Sequence, residues 1–71
     1  MKLHYYPETD SLYIEFSDVA STDSQEVASG VVLDFDADGR LVGIDIDRAG
    51  QVVDLSRLEA LGLPLATLRA G

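Results

Sequence analysis

Val31 to Asp47, VVLDFDADGRLVGIDID, carries the clearest strand pattern in the chain. It reads as a β-hairpin, because two apolar-rich runs flank Asp36-Ala37-Asp38-Gly39, a loop of turn-forming residues. Gly39 can take the left-handed conformation that a residue with a Cβ would adopt at a cost. Taking those residues as the loop pairs Phe35 with Arg40, Leu33 with Val42 and Val31 with Ile44. Apolar residues then share one face. A slip of one residue would set Leu33 against Gly43 and Val31 against Asp45, so the hydrophobic pattern argues against it.

Working back from this hairpin, Lys2 to Tyr6 and Ser11 to Phe16 flank Pro7-Glu8-Thr9-Asp10, which suits a second tight connection. Pairing Tyr6 with Ser11 sets Tyr5 against Leu12 and Leu3 against Ile14, with Phe16 further along that face. His4, Tyr6, Tyr13 and Glu15 fall on the other face. Asp10 is placed to close the loop as Gly39 closes the later one, since Asp tolerates left-handed backbone and its carboxylate can accept local N–H groups. Between the hairpins, residues 17–29 (SDVASTDSQEVAS) are polar and without a sustained period, and read as a connecting loop with a short extended piece at Glu26-Val27.

Working forward, strand alternation stops at Arg48-Ala49-Gly50 and DLSRLEAL (54–61) changes to helical spacing, with Leu55, Leu58 and Leu61 on one side. Asp54 or Ser56 can cap such a helix, Ser56 with Glu59 has the form of a capping box, and Gly62 with Pro64 ends it. A further helical turn is expected from Pro64 to Arg69, kept apolar by Leu63, Leu65 and Leu68. The expected fold is thus α+β. It is one domain over residues 1–71, a four-stranded antiparallel sheet made of hairpins 2–16 and 30–47 joined by loop 17–29. A helical segment over 54–70 covers one face, above Leu3, Tyr5, Leu12, Ile14, Phe16, Val31, Leu33, Phe35, Val42, Ile44 and Ile46.

Composition narrows the function classes. Seventy-one residues lie near the lower limit for a single self-sufficient core. The chain has no cysteine, so neither disulfides nor a thiolate metal site can reinforce it. No apolar run approaches the roughly 18 residues that span a bilayer, and MKLHYYPETD lacks a signal-peptide core, which gives the expectation of a cytoplasmic protein with no membrane partner. Thirteen Asp and Glu against five Lys and Arg give a net charge of -8, which disfavours direct contact with nucleic acid.

The segments YYPETDSLYIEF (5–16) and GVVLDFDADGRLVGIDI (30–46) together resemble the YuzE-like family of small bacterial and archaeal domains of unknown function. The pattern is carried by Tyr6, Glu8, Asp10, Leu12, Tyr13 and Ile14 in the first hairpin, with the Tyr-to-Glu spacing shortened by one, and by the run Gly39 to Ile44 in the second. Pro7 stands where members often have Asp, and Asp45 where they often have Glu. The resemblance implies an α+β fold and no established activity, and some relatives lie beside small toxin-like proteins. It supplies no catalytic residue.

Three function classes are weighed. Asp34-x-Asp36-x-Asp38-Gly39, with Asp45 at the twelfth position, matches the spacing of an EF-hand calcium loop, but Asp replaces the bidentate Glu and strands replace the flanking helices. Solvated carboxylates of a hairpin loop are the simpler account, and no metal or other cofactor is expected. His4 beside Tyr13, Tyr6 and Glu15 could serve as a general base in a small enzyme, yet the chain offers it no plausible nucleophile. The better-supplied reading is a non-enzymatic protein-interaction module, antitoxin-like, in which Tyr6, Tyr13, Asp34, Asp36, Asp38 and Asp45 meet a basic protein encoded nearby. A homodimer is also expected, through the outer sheet face that carries Tyr6, Tyr13, Val32 and Leu41.

Overall fold

A computed structural model describes residues 1–63. The strands are β1 (Lys2–Tyr6), β2 (Ser11–Glu15), β3 (Asp23–Ala28), β4 (Val31–Phe35) and β5 (Leu41–Ile46), followed by a single helical turn, α1 (Ala49–Val52). They form one antiparallel sheet in the order β1-β2-β5-β4-β3.

The first hairpin has the register that alternation gives, with Leu3 opposite Ile14, Tyr5 opposite Leu12 and Tyr6 opposite Ser11. Asp10 takes the left-handed conformation, at φ 54. In the second hairpin Gly39 does the same at φ 80, and the loop is held by Asp36 N–H to the Arg40 carbonyl at 2.9 Å. The Asp36 carboxylate folds inward over this loop, where one oxygen accepts the N–H groups of Asp38 and Arg40, each at 2.9 Å.

Pairing beyond that loop differs from the expected register. Leu33 stands opposite Ile44 and Val31 opposite Ile46, because the hairpin closes on Phe35–Leu41 in place of Phe35–Arg40, a shift of one, and a bulge at Val42 adds a second between that pair and Asp34–Gly43. Beyond the bulge the shift amounts to two residues, and side chains alternate with a period of two, so from Gly43 onward it leaves the same residues on the same face, while Leu41, shifted by one, stands opposite Phe35 and not on the outer face expected for it. Hydrophobic patterning cannot see such a slip. The gain is alignment across all the strands: Tyr5, Leu12, Ile46, Val31 and Ala28 form one row, and Leu3, Ile14, Ile44, Leu33 and Gln25 the next.

The sheet has five strands, not four. β3 lies within the expected loop 17–29 and pairs with β4 through the two-residue connection Ser29-Gly30, with Gly30 at φ 77. All six of its residues are exposed, so no buried face imposed an alternation on its sequence. Its order comes from backbone pairing with β4, a force that polar sequence does not advertise.

The expected helix over 54–61 is absent. Asp54 accepts the Ser56 N–H at 3.0 Å and its hydroxyl at 2.5 Å, which closes a local turn that no helix continues, and Arg57 pairs with Glu59 two residues on. Leu58 and Leu61 are 67% and 83% exposed, so the helical spacing has no surface beneath it, and a helix this short does not persist alone. The segment expected from Pro64 to Arg69 lies outside the described residues. The helical turn comes earlier, at α1, where the fully buried Ala49 closes over Leu12 and Ile46 with Ile14, Ile44 and Val53 around them.

Asp10 fastens α1 to the sheet. Its carbonyl accepts the Ala49 N–H at 2.7 Å, and its carboxylate accepts the Gly50 N–H at 3.2 Å and the Tyr5 hydroxyl at 2.7 Å. A side-chain acceptor at a helix start is worth about 1 kcal/mol. We therefore expect Asp10→Ala to lower stability by about that much, and Asp10→Asn by less, in urea denaturation. Equal stability of Asp10→Ala and the parent would show that the tie is incidental.

Candidate functional site

The side chains that can carry chemistry lie on the sheet face opposite α1. Alternation along the paired strands puts Lys2, His4 and Tyr6 of β1, Tyr13 and Glu15 of β2, Gly43 and Asp45 of β5, Val32 and Asp34 of β4, and Ser24 and Glu26 of β3 on this side. One cross-strand row runs Lys2, Glu15, Gly43, Asp34, Ser24. Its neighbour runs His4, Tyr13, Asp45, Val32, Glu26.

Tyr13 is the centre of this surface. Its ring leans across β5 into the space left by Gly43, where a Cβ would overlap the hydroxyl and come within 2.5 Å of Cζ. An isolated glycine inside a strand pattern is the sequence trace of such a close approach. Having crossed β5, the Tyr13 hydroxyl donates to Asp34 Oδ2 at 3.1 Å, while the Ser24 hydroxyl donates to Asp34 Oδ1 at 2.7 Å. Burial, with that hydrogen bond and the charges of Asp34, Glu15 and Asp45, raises the Tyr13 pKa, so the phenol stays neutral at physiological pH. Asp45 is directly opposite Tyr13, and its carboxyl pKa is raised by burial first and by the charges of Asp47 and Asp34 next.

The structure brings Tyr13, Asp34 and Asp45 together, with Tyr6 exposed at the far end of β1. Asp36 and Asp38 stand apart from them in the loop of the second hairpin. Asp34 is committed to Tyr13 and Ser24, and Asp36 to the loop N–H groups, so the calcium-loop spacing does not become a common coordination centre. Among the described residues no group of three His, Cys, Asp or Glu side chains could hold a metal ion. His4 Nε2 lies 3.8 Å from Glu15 Oε1 on the open face. A depression of about 420 Å³ at the end of β1 and β2 is lined by Met1, Lys2, Glu15, Phe16, Ser17 and Asp18, and takes in neither His4 nor Tyr13. Ser24 was hidden from sequence reasoning because its strand was.

Two outcomes follow for this face. Gly43→Ala should cost about 1–3 kcal/mol through overlap with Tyr13, and adding Tyr13→Ala should make the glycine substitution nearly silent, as measured by a double-mutant cycle in urea. Independence of the two substitutions would refute the close approach. Asp45 has a folded pKa above its unfolded one, so its ionisation opposes folding at neutral pH and the penalty fades as pH falls through the folded value. Asp45→Asn should accordingly raise the melting temperature at pH 7, by an amount that shrinks as the pH is lowered. A constant difference across that range would count against the electrostatic cause.

Among the described residues no helix is long and apolar enough to cross a membrane. No match was found among curated proteins or among solved structures. A family model described as "Protein of unknown function (DUF2283)" matches residues 2–55. That span contains every strand and the α1 turn, and it agrees with the YuzE-like resemblance of the two hairpins. The chain is a member of this DUF2283 family of small domains of unknown function.

Proposed function

We propose that this protein is a small protein-interaction module whose acidic sheet face receives a basic protein. The observation that carries the reading is the grouping of Glu15, Asp34, Asp45 and Glu26 on one open face, with Asp45 held at raised pKa by burial and by its like-charged neighbours. Repulsion of that kind is present in the free protein and relieved when a cation arrives, so a Lys- or Arg-bearing partner gains from contacts that the isolated domain cannot satisfy. Tyr13 and Tyr6 supply aromatic area with a polar tip on the same surface, a composition suited to interfaces. A basic nuclease-like protein encoded nearby is the partner class this face fits best, which would make the role antitoxin-like. Non-enzymatic action accords with the open setting of His4.

Co-expression of the chain with whatever small protein is encoded next door tests the reading. The expected result is a stoichiometric complex whose affinity falls steeply with added salt. Within it, Glu15→Lys and Asp45→Lys should weaken binding tenfold or more, about 1.4 kcal/mol, whereas Glu59→Lys, beyond the sheet, should leave it unchanged. Salt-insensitive binding, or equal loss from Glu59→Lys, would overturn the acidic-face assignment.

A further inference from the structure

The sheet has two edges, and they are unlike. At β3 the edge carries Asp23 and Glu26, and a bulge at Val27 interrupts its register with β4. Charges and bulges are the devices that stop a strand from pairing with another chain. At the other edge β1 (KLHYY) runs through five unbroken pairs with β2 and, among the described residues, pairs with nothing on its outer side. It is the one strand of the five without Asp or Glu, and it carries Lys2 and His4. Leu3 and Tyr5 on it are 46% and 45% exposed, at the end of the same two apolar rows that run through Leu12, Ile46, Ile14 and Ile44.

We propose that two copies of this chain join antiparallel through their β1 strands, about a two-fold axis at His4, into one continuous sheet. Charge selects the edge. A molecule with a net charge of -8 repels its own copy over most of its surface, and β1 is the strand where two copies can approach without opposing carboxylates. Parity selects the register: only pairings that set odd residues against odd keep both apolar faces on the same side of the joined sheet. Among those, the register centred on His4 uses every residue of the strand, setting Leu3 against Tyr5 of the second copy and Lys2 against its Tyr6. Each Lys2 then lies beside the second copy's Pro7–Asp10 loop, which carries Glu8 and Asp10. Both apolar rows lengthen across the junction, and the outward N–H and C=O groups of β1 find partners. This pairing is independent of the acidic-face reading, since it leaves that face open and a monomer could still bind a basic protein there.

The test uses the full chain, which has no cysteine and so accepts single reporters. Residues directly opposite in an antiparallel pair have Cα atoms about 4.5–5.5 Å apart, within disulfide reach. Under mild oxidation His4→Cys should cross-link to a covalent dimer at least tenfold faster than Lys2→Cys or Leu3→Cys, whose positions meet different residues across the axis. Native mass spectrometry at micromolar concentration should give twice the 7.7 kDa chain mass for the parent and for Gln25→Lys at the β3 edge, and the monomer mass for Leu3→Lys. Circular dichroism distinguishes dissociation of Leu3→Lys from its unfolding, and the cross-linking of His4→Cys stands even if Leu3→Lys fails to fold. A monomeric parent, cross-linking of His4→Cys no faster than that of Leu3→Cys, or dissociation by Gln25→Lys alone would overturn the proposal.

Discussion

Leu12 against Ile46 is the contact that makes one sheet out of two hairpins. The two residues come from different hairpins, and their strands, β2 and β5, meet in the middle of the sheet. Each hairpin can form its own local register, but a two-stranded hairpin is marginal in water. Joining them requires an apolar seam. Leu12 and Ile46 are both buried, Ile14 against Ile44 continues the seam, and Ala49 closes over it with no exposed area at all. The small side chain of Ala49 allows α1 to lie this close, and Asp10 fixes α1 there by accepting the Ala49 and Gly50 N–H groups through its carbonyl and its carboxylate.

That seam is also the limit of the core. Away from it Leu3 and Tyr5 remain half exposed, because α1 is a single turn and covers only the centre of the face. A chain of this length has few side chains with which to extend the cover. The sheet therefore compensates on its other side, where Tyr13 laid into the Gly43 slot and bonded to Asp34 ties β2 across β5 to β4, and Ser24 carries the tie on to β3. Polar contacts spanning four strands do for the outer face part of what a hydrophobic layer does for the inner one.

What could be read from the sequence follows from which constraints leave a periodic trace. The first hairpin was legible to the residue because Leu3, Tyr5, Leu12 and Ile14 alternate and Asp10 ends the loop. In the second the loop was legible and the register was not, since closure on Phe35–Leu41 and the bulge at Val42 each shift it by one, and the even total leaves the side chains beyond the bulge on their own faces. β3 was invisible because it buries nothing. Leu55, Leu58 and Leu61 had helical spacing, yet spacing makes a helix only where a surface awaits it, and Leu58 and Leu61 stay largely in solvent. At the candidate site, alternation put Tyr13 on the face away from the expected core. It could not show that Tyr13 reaches diagonally over Gly43, nor that Asp36 turns inward to serve its own loop.

The distribution of charge gives these separate features a common direction. Carboxylates occur on every strand except β1, and those of Glu15, Asp34, Asp45 and Glu26 share the face that α1 leaves open. Like charges on neighbouring strands weaken a sheet, and the raised pKa of Asp45, due first to burial and then to the charges of Asp47 and Asp34, marks a carboxylate whose ionisation opposes folding. The apolar ends of the inner rows, by contrast, emerge at β1, which carries no carboxylate. The acidic face and the carboxylate-free edge at β1 are thus set at right angles, the first proposed above to receive a basic partner and the second to pair with a second copy. A single sheet can use both at once, since a strand added at β1 lies in the plane of the sheet and covers none of the acidic face.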